Sequence, residues 1–114
     1  MDLRRVGNVS FLNAAPLTWG FETRVLFATP SGLATLLRRD ELDAAVVSIT
    51  EVLLTDRYDL LDGLAIAARG EVKSVFLAHR PPLESVREVF CDEASLTSVN
   101  LLRVLLAQRG LHPP

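Results

Sequence analysis

Three short segments rich in apolar residues, separated by segments with helical spacing, constrain the fold of this chain more than any other feature. The apolar segments lie near residues 3–9, 24–29 and 43–48. A short apolar run without alternation is typical of a parallel strand that is buried on both faces. Strands that alternate with helices build α/β folds. We therefore predict an α/β fold in which helices flank a mostly parallel sheet.

Apolar spacing and breaking residues predict the remaining elements. Helices are expected over about 14–20, 33–42 and 97–109, and a short helix is expected after Thr50. Further strands are expected over 58–61, 64–68, 72–80 and 86–91. Ser31 is a plausible N-cap of the second helix. Gly110 fits the position just after the last helix, and Pro113-Pro114 would stop that helix from continuing. Trp19 and Phe21 could wall a cleft beside a ring, but their near-helical spacing with Leu17 favours core packing, and Cys91 is expected to be buried as well.

A polar step from Ser10 to Asn13 separates the first strand from the first helix. In α/β folds, ligands bind in the crevice outside the carboxyl ends of the strands, where the next helix presents free N–H groups. The amide of Asn13 can donate and accept hydrogen bonds at once, which suits a small oxygen-rich molecule. The alternative is that Asn13 only caps the helix that follows.

Composition narrows the class of partner. The 114 residues suffice for one small domain, and the net charge of −2 argues against nucleic acid. No apolar run approaches the roughly 20 residues that span a bilayer, and no signal peptide is evident, so we expect a cytoplasmic protein without a membrane partner. The single cysteine and two scattered histidines form no ligand pattern, and no metal is expected.

Four blocks, in order, resemble the menaquinone-biosynthesis chorismate dehydratases of the futalosine route. They are Ser10-Phe-Leu-Asn-Ala-Ala-Pro-Leu17, the segment from Gly32 to Ser48, Val72-Lys-Ser-Val-Phe-Leu77 and Ser95-Leu-Thr-Ser-Val-Asn-Leu-Leu102. The resemblance implies a periplasmic-binding-protein type II-like fold, two α/β lobes around a cleft. Because that family is more than twice this length, residues 1–80 would form part of the first lobe and residues 81–114 the crossover into a truncated second lobe.

The same resemblance implies an activity. It is a carbon–oxygen lyase reaction in which chorismate, a small dicarboxylate, loses water and becomes 3-enolpyruvyl benzoate. No metal or organic cofactor is implied. Alternatives are the sister 1,4-dihydroxy-6-naphthoate synthase, a non-catalytic lobe that binds an organic anion, and an inert fragment. We also expect self-association through apolar surface that the rest of the family's fold would cover.

Site residues follow block by block from the resemblance. Asn13 and Ser74 are the expected catalytic residues. Hydroxyl or backbone groups at strand ends and helix starts are the expected substrate-binding groups, and they belong to Ser31, Gly32, Ser48, Ser95, Thr97 and Ser98. For Ser74 the alternative is a strand serine that bonds locally to backbone. For Ser95, Thr97 and Ser98 the alternative is simple helix capping.

Overall fold

A small parallel sheet forms the centre of the structure, a computed structural model that describes residues 5–112. Its strands are β1 (Val6–Asn8), β2 (Val25–Phe27) and β3 (Ala44–Ala45), in the order β2-β1-β3. Both neighbours run parallel to β1, and Val6 lies opposite Val25 on one side and Ala44 on the other. The predicted α/β class and the three parallel strands are confirmed, although each strand is short. Leu3, predicted to belong to the first strand, lies outside the described residues, as do Pro113 and Pro114.

Helix α1 (Pro30–Arg38) covers the sheet and supplies the centre of the core. Leu33 of this helix is fully buried and packs with Val9, Ala14 and Leu42. A Cβ atom placed on Gly7 would lie 2.6 Å from Leu33 Cδ2 and 2.7 Å from Leu42 Cδ1. Gly7 therefore allows these two side chains to approach the central strand closely.

The start of α1 differs from the prediction. The N-cap is Thr29 and not Ser31, because Thr29 Oγ1 accepts a hydrogen bond from the Gly32 N–H at 3.2 Å. Pro30 is the first residue of the helix. Proline is well suited to the first helical position, where its N–H would have no partner and its φ angle is already helical.

Two further helices follow. Helix α2 (Ile49–Leu54) starts after Ser48, which is its N-cap in place of the predicted Thr50. Helix α3 (Leu96–Gln108) agrees with the predicted element within one residue at each end. Gly110, with φ +68°, follows α3 as predicted, and the Leu111 N–H donates to Leu106 O at 2.9 Å. This bond and that from Gly110 N to Ala107 O form the Schellman motif that ends many helices.

A 3-10 helix over Leu12–Thr18 replaces the α-helix predicted near 14–20. Its N-cap residue is Phe11, which makes no side-chain capping bond, so Asn13 is not the cap of this element. Trp19 and Phe21 follow it with exposed side chains, 77% and 62% accessible. The prediction that both pack into the core is wrong, since Ala14 and Thr18 are the buried residues of this segment.

The strands predicted between residues 58 and 91 are absent from the described structure. Apart from a 3-10 turn over Leu83–Ser85, residues 55–95 form no helix or strand. A strand requires a hydrogen-bonded neighbour, and these segments lie beside none. Phe76 and Phe90 are 80% and 90% exposed, and Cys91, predicted to be buried, is exposed as well.

No helix within residues 5–112 is long and apolar enough to cross a membrane.

Candidate functional site

Two side chains from the predicted substrate-binding set meet in the structure. Ser48 Oγ and Thr97 Oγ1 lie 2.5 Å apart, within hydrogen-bond distance, although 49 positions separate them in the sequence. Ser48 also accepts a hydrogen bond from the Thr50 N–H at 3.1 Å, as the N-cap of α2. Thr97 lies in the first turn of α3. The contact therefore brings the starts of two helices together.

The start of α3 carries two more of the predicted hydroxyls. Ser95 is its N-cap, and Ser95 Oγ accepts from the Ser98 N–H at 3.3 Å. The capping interpretation of Ser95 is therefore confirmed. Ser98 is half-buried, whereas Thr97 is exposed. Because the first N–H groups of a helix have no partner within it and carry a partial positive charge, this end favours an anion.

The parallel sheet places three candidate segments at one edge. Asn13 follows the carboxyl end of β1, Ser31 and Gly32 follow that of β2, and Ser48 follows that of β3. Carboxyl ends of parallel strands share an edge, which is where α/β folds bind ligands. Asn13 is exposed, and the Gly32 N–H is taken up by Thr29.

Ser74 lies apart from any regular element. It is exposed and belongs to the segment that the sequence predicted as a strand. Its side chain makes no hydrogen bond within the part of the chain that the structure describes. The local backbone bond considered as the alternative is therefore not formed either, and the catalytic role of Ser74 stays a prediction.

Asn8, which the sequence analysis did not single out, organises the segment that carries Asn13. Its side chain is fully buried. Asn8 Nδ2 donates to Ala14 O at 3.1 Å and to Thr18 Oγ1 at 3.0 Å, and Asn8 Oδ1 accepts from the Val9 N–H at 2.8 Å. A buried amide needs such partners. The available signal was an asparagine within an otherwise apolar strand.

A charged network beside α2 was also missed. Glu51 is only 5% exposed, and its carboxylate binds Arg38 and Tyr58. The hydrogen bond to Glu51, followed by its charge, raises the pKa of Arg38. Burial first, and then the hydrogen bond to Glu51, raise the pKa of Tyr58. Glu51 also lies in the first turn of α2, where a negative charge is favourable.

The chemistry available at the Ser48–Thr97 contact is that of neutral donors. Hydroxyls and helix N–H groups can hold a carboxylate without a bound cation. Across residues 5–112, no group of three or more His, Cys, Asp and Glu side chains is placed to hold a metal ion. The arrangement is therefore suited to binding and orienting a small anion.

Comparisons with known proteins agree with the resemblance read from the four sequence blocks. The model of a family described as menaquinone biosynthesis matches residues 4–114. The chain is 36% identical over 114 residues to the chorismate dehydratase of Thermus thermophilus. This match covers 99% of the chain and 41% of that protein, so the chain spans less than half the length of its relative. No solved structure matches the chain significantly. Because the family model takes in nearly every residue, the chain belongs to the menaquinone biosynthesis family.

Proposed function

We propose that this chain supplies part of a chorismate dehydratase, a hydro-lyase that converts chorismate to 3-enolpyruvyl benzoate. The observation that carries the proposal is the Ser48–Thr97 contact at the starts of two helices, in a chain 36% identical to a protein named chorismate dehydratase. That name favours this reaction over that of the sister naphthoate synthase. The fold would be the periplasmic-binding-protein type II-like one, with residues 1–80 in one lobe and 81–114 leading into the next.

The reaction needs positioning more than it needs a strong reagent. A ring C–H bond and a ring C–O bond break, the C–H electron pair enters the ring as a new double bond, and the hydroxyl leaves with the proton as water. The ring becomes aromatic and nothing is oxidised or reduced overall. Holding the substrate in a reactive orientation can account for much of such a rate enhancement.

Each candidate residue has a role in this proposal. Thr97 and Ser98, together with Ser48, would bind one substrate carboxylate at the start of α3, where neutral donors and the helix dipole favour an anion. Asn13 would orient the ring hydroxyl that departs. Ser74 would contact the substrate from the segment 72–77. Ser95, Ser31 and Gly32 would shape the helix starts.

A second candidate is a lobe that binds an organic anion without catalysis. Within residues 5–112, the hydrogen-bond partners of Ser48 and Thr97 include no His, Asp or Glu side chain that could act as a base, which favours this candidate. Binding needs only donors, whereas the reaction also needs a proton acceptor. The substrate's own carboxylate would take the proton in the first candidate.

The test uses a chimera in which residues 1–114 replace the matched part of the Thermus thermophilus protein. Chorismate is added to the chimera, and the aromatic product is followed by chromatography beside a calorimetric titration. Product formation that falls in Ser48→Ala and Thr97→Val variants supports the dehydratase. Binding without product supports the anion-binding lobe. A chimera that is folded and neither binds nor converts chorismate contradicts both candidates.

A further inference from the structure

The carboxylate of Glu51 joins α1 to α2, three residues after Ser48 of the candidate site. Glu51 Oε1 accepts from Arg38 Nε at 2.8 Å and from the Tyr58 hydroxyl at 3.2 Å, and Glu51 Oε2 accepts from Arg38 Nη2 at 3.0 Å. Arg38 is the last residue of α1, and Glu51 lies in the first turn of α2. The two parallel Arg38 bonds fix direction as well as distance, because both partners are planar.

Burial of the Glu51 carboxylate makes its hydrogen-bond partners necessary. A carboxylate removed from water is strongly disfavoured unless its oxygens are paired and hydrogen-bonded. Glu51 is 5% exposed, whereas the Arg38 side chain is 48% exposed, so the cost of burial falls mainly on the acid. The pKa of Tyr58 is raised in part by this same carboxylate. The first turn of α2 is therefore confined to the orientation in which Glu51 meets its partners.

The spacing of Ser48 and Glu51 offers an alternative that the structure does not use. A serine N-cap with a glutamate three residues later forms a capping box when the glutamate reaches back to the N-cap N–H. Here the Glu51 side chain turns away from Ser48 and binds α1 through Arg38. Ser48 Oγ alone caps α2, and it also contacts Thr97. The network thus leads from α1 through Glu51 to α2, and from Ser48 to α3.

We propose that Glu51 is a positioning residue, which through Arg38 and Tyr58 sets the first turn of α2 and so holds Ser48 Oγ against Thr97 Oγ1. That the site so positioned binds chorismate rests on the proposed function. The positioning itself does not, because it concerns contacts within this chain. Glu51 touches no reacting atom in this scheme and acts only through Ser48.

The first test requires no ligand. Amide signals and amide hydrogen exchange are measured by NMR on the 114-residue chain and on Glu51→Gln, which keeps the shape of the side chain and removes its charge. We expect protection of the Thr50 amide to fall about tenfold and the Thr97 and Ser98 signals to shift, while Leu33 in α1 stays protected. Arg5→Gln is the matched control, since it breaks an arginine–carboxylate pair with Asp43 at the opposite end of the strands.

A second variant protects the test against misfolding. Arg38→Lys keeps the positive charge but cannot make both parallel hydrogen bonds to the Glu51 carboxylate. It should therefore shift the Thr97 and Ser98 signals by a smaller amount than Glu51→Gln does. If Thr97 and Ser98 are unmoved in folded Glu51→Gln, or if Arg5→Gln moves them equally, the positioning role is wrong.

The second test uses the chimera and chorismate. Glu51→Gln should raise KM about tenfold with a smaller change in kcat, as expected when a substrate-binding group is misplaced, and Arg38→Lys alone should raise KM by a smaller factor. Unchanged KM in an active Glu51→Gln chimera overturns the proposal. If the chimera neither binds nor converts chorismate, but Glu51→Gln shifts the Thr97 and Ser98 signals, the proposed function is refuted and the positioning role remains supported.

Discussion

Ser48 Oγ lies 2.5 Å from Thr97 Oγ1, and this contact ties α3 to the end of the sheet. Helices α2 and α3 also pack against each other. Ser48 is half-buried and Thr97 is exposed, so the hydroxyl pair is accessible from one side. A ligand carboxylate could therefore reach both hydroxyls without opening the core.

We expect this contact to be measurable without any ligand. In a double-mutant cycle, Ser48→Ala and Thr97→Val should show a coupling of about 0.5–1.5 kcal/mol in the free energy of unfolding, the worth of one net hydrogen bond. The cycle is measured by urea denaturation followed by circular dichroism. Ser85→Ala with Thr97→Val is the control cycle, because Ser85 belongs to the separate Leu83–Ser85 turn. Additive single effects at Ser48 and Thr97 would show that the two hydroxyls do not interact.

Loss of the Asn8 side chain should strongly destabilise the fold. Asn8→Ala removes the donors to Ala14 O and Thr18 Oγ1 and leaves buried polar atoms without partners. Each such loss costs about 1–3 kcal/mol. Thermal unfolding should show a large decrease in Tm, whereas Asn100→Ala, which loses one bond to Leu96 O on α3, should show a small one. Equal effects of the two substitutions would contradict the organising role of Asn8.

A side chain at Gly7 should destabilise the fold. Gly7→Ala would place its methyl 2.6 Å from Leu33 Cδ2, and overpacking of a buried site costs about 1–3 kcal/mol. Denaturant unfolding measures the loss, with the exposed Gln108→Ala as the control. A Gly7→Ala variant as stable as the parent would mean that the Leu33 and Leu42 side chains can move away from β1 at no cost.

Tyr58 should titrate above the ordinary value for tyrosine, 10.0, because burial and the bond to Glu51 raise its pKa. Since its pKa in the folded chain exceeds that in the unfolded chain, its contribution to stability is complete below about pH 10 and is lost as the pH rises through the folded pKa. Tyr58 is the only tyrosine, so near-ultraviolet absorbance of tyrosinate reports it directly. Glu51→Gln should lower the midpoint, and a native midpoint equal to that in denaturant would refute the shift.

In the chimera, Asn13→Ala and Ser74→Ala should depress turnover more than stability. A lost polar contact in the transition state costs about 2–4 kcal/mol, which is measured as kcat/KM for chorismate beside Tm. Wild-type rates in both variants would remove Asn13 and Ser74 from the mechanism.

The chain alone should bind chorismate weakly, if at all, and should self-associate through side chains such as Phe76 and Phe90. Micromolar binding with turnover by a monomeric 114-residue chain would refute the last expectation.

Local patterns determined much of this molecule. The apolar runs predicted the three strands, the spacing from Leu102 to Gly110 predicted the end of α3, and the four blocks predicted the family. These features depend on interactions between residues close in sequence or on the clustering of apolar residues in short segments. Sequence patterns record both directly.

Tertiary structure decided the rest. Residues 72–80 are rich in residues that favour strands, and the sequence predicted a strand there. None forms, because a strand requires another strand that can pair with it. The burial of Asn8 and Glu51 and the meeting of Ser48 with Thr97 depend on partners 6 to 49 positions away. Such pairings arise from the packing of whole elements, and no local pattern in the sequence specifies them.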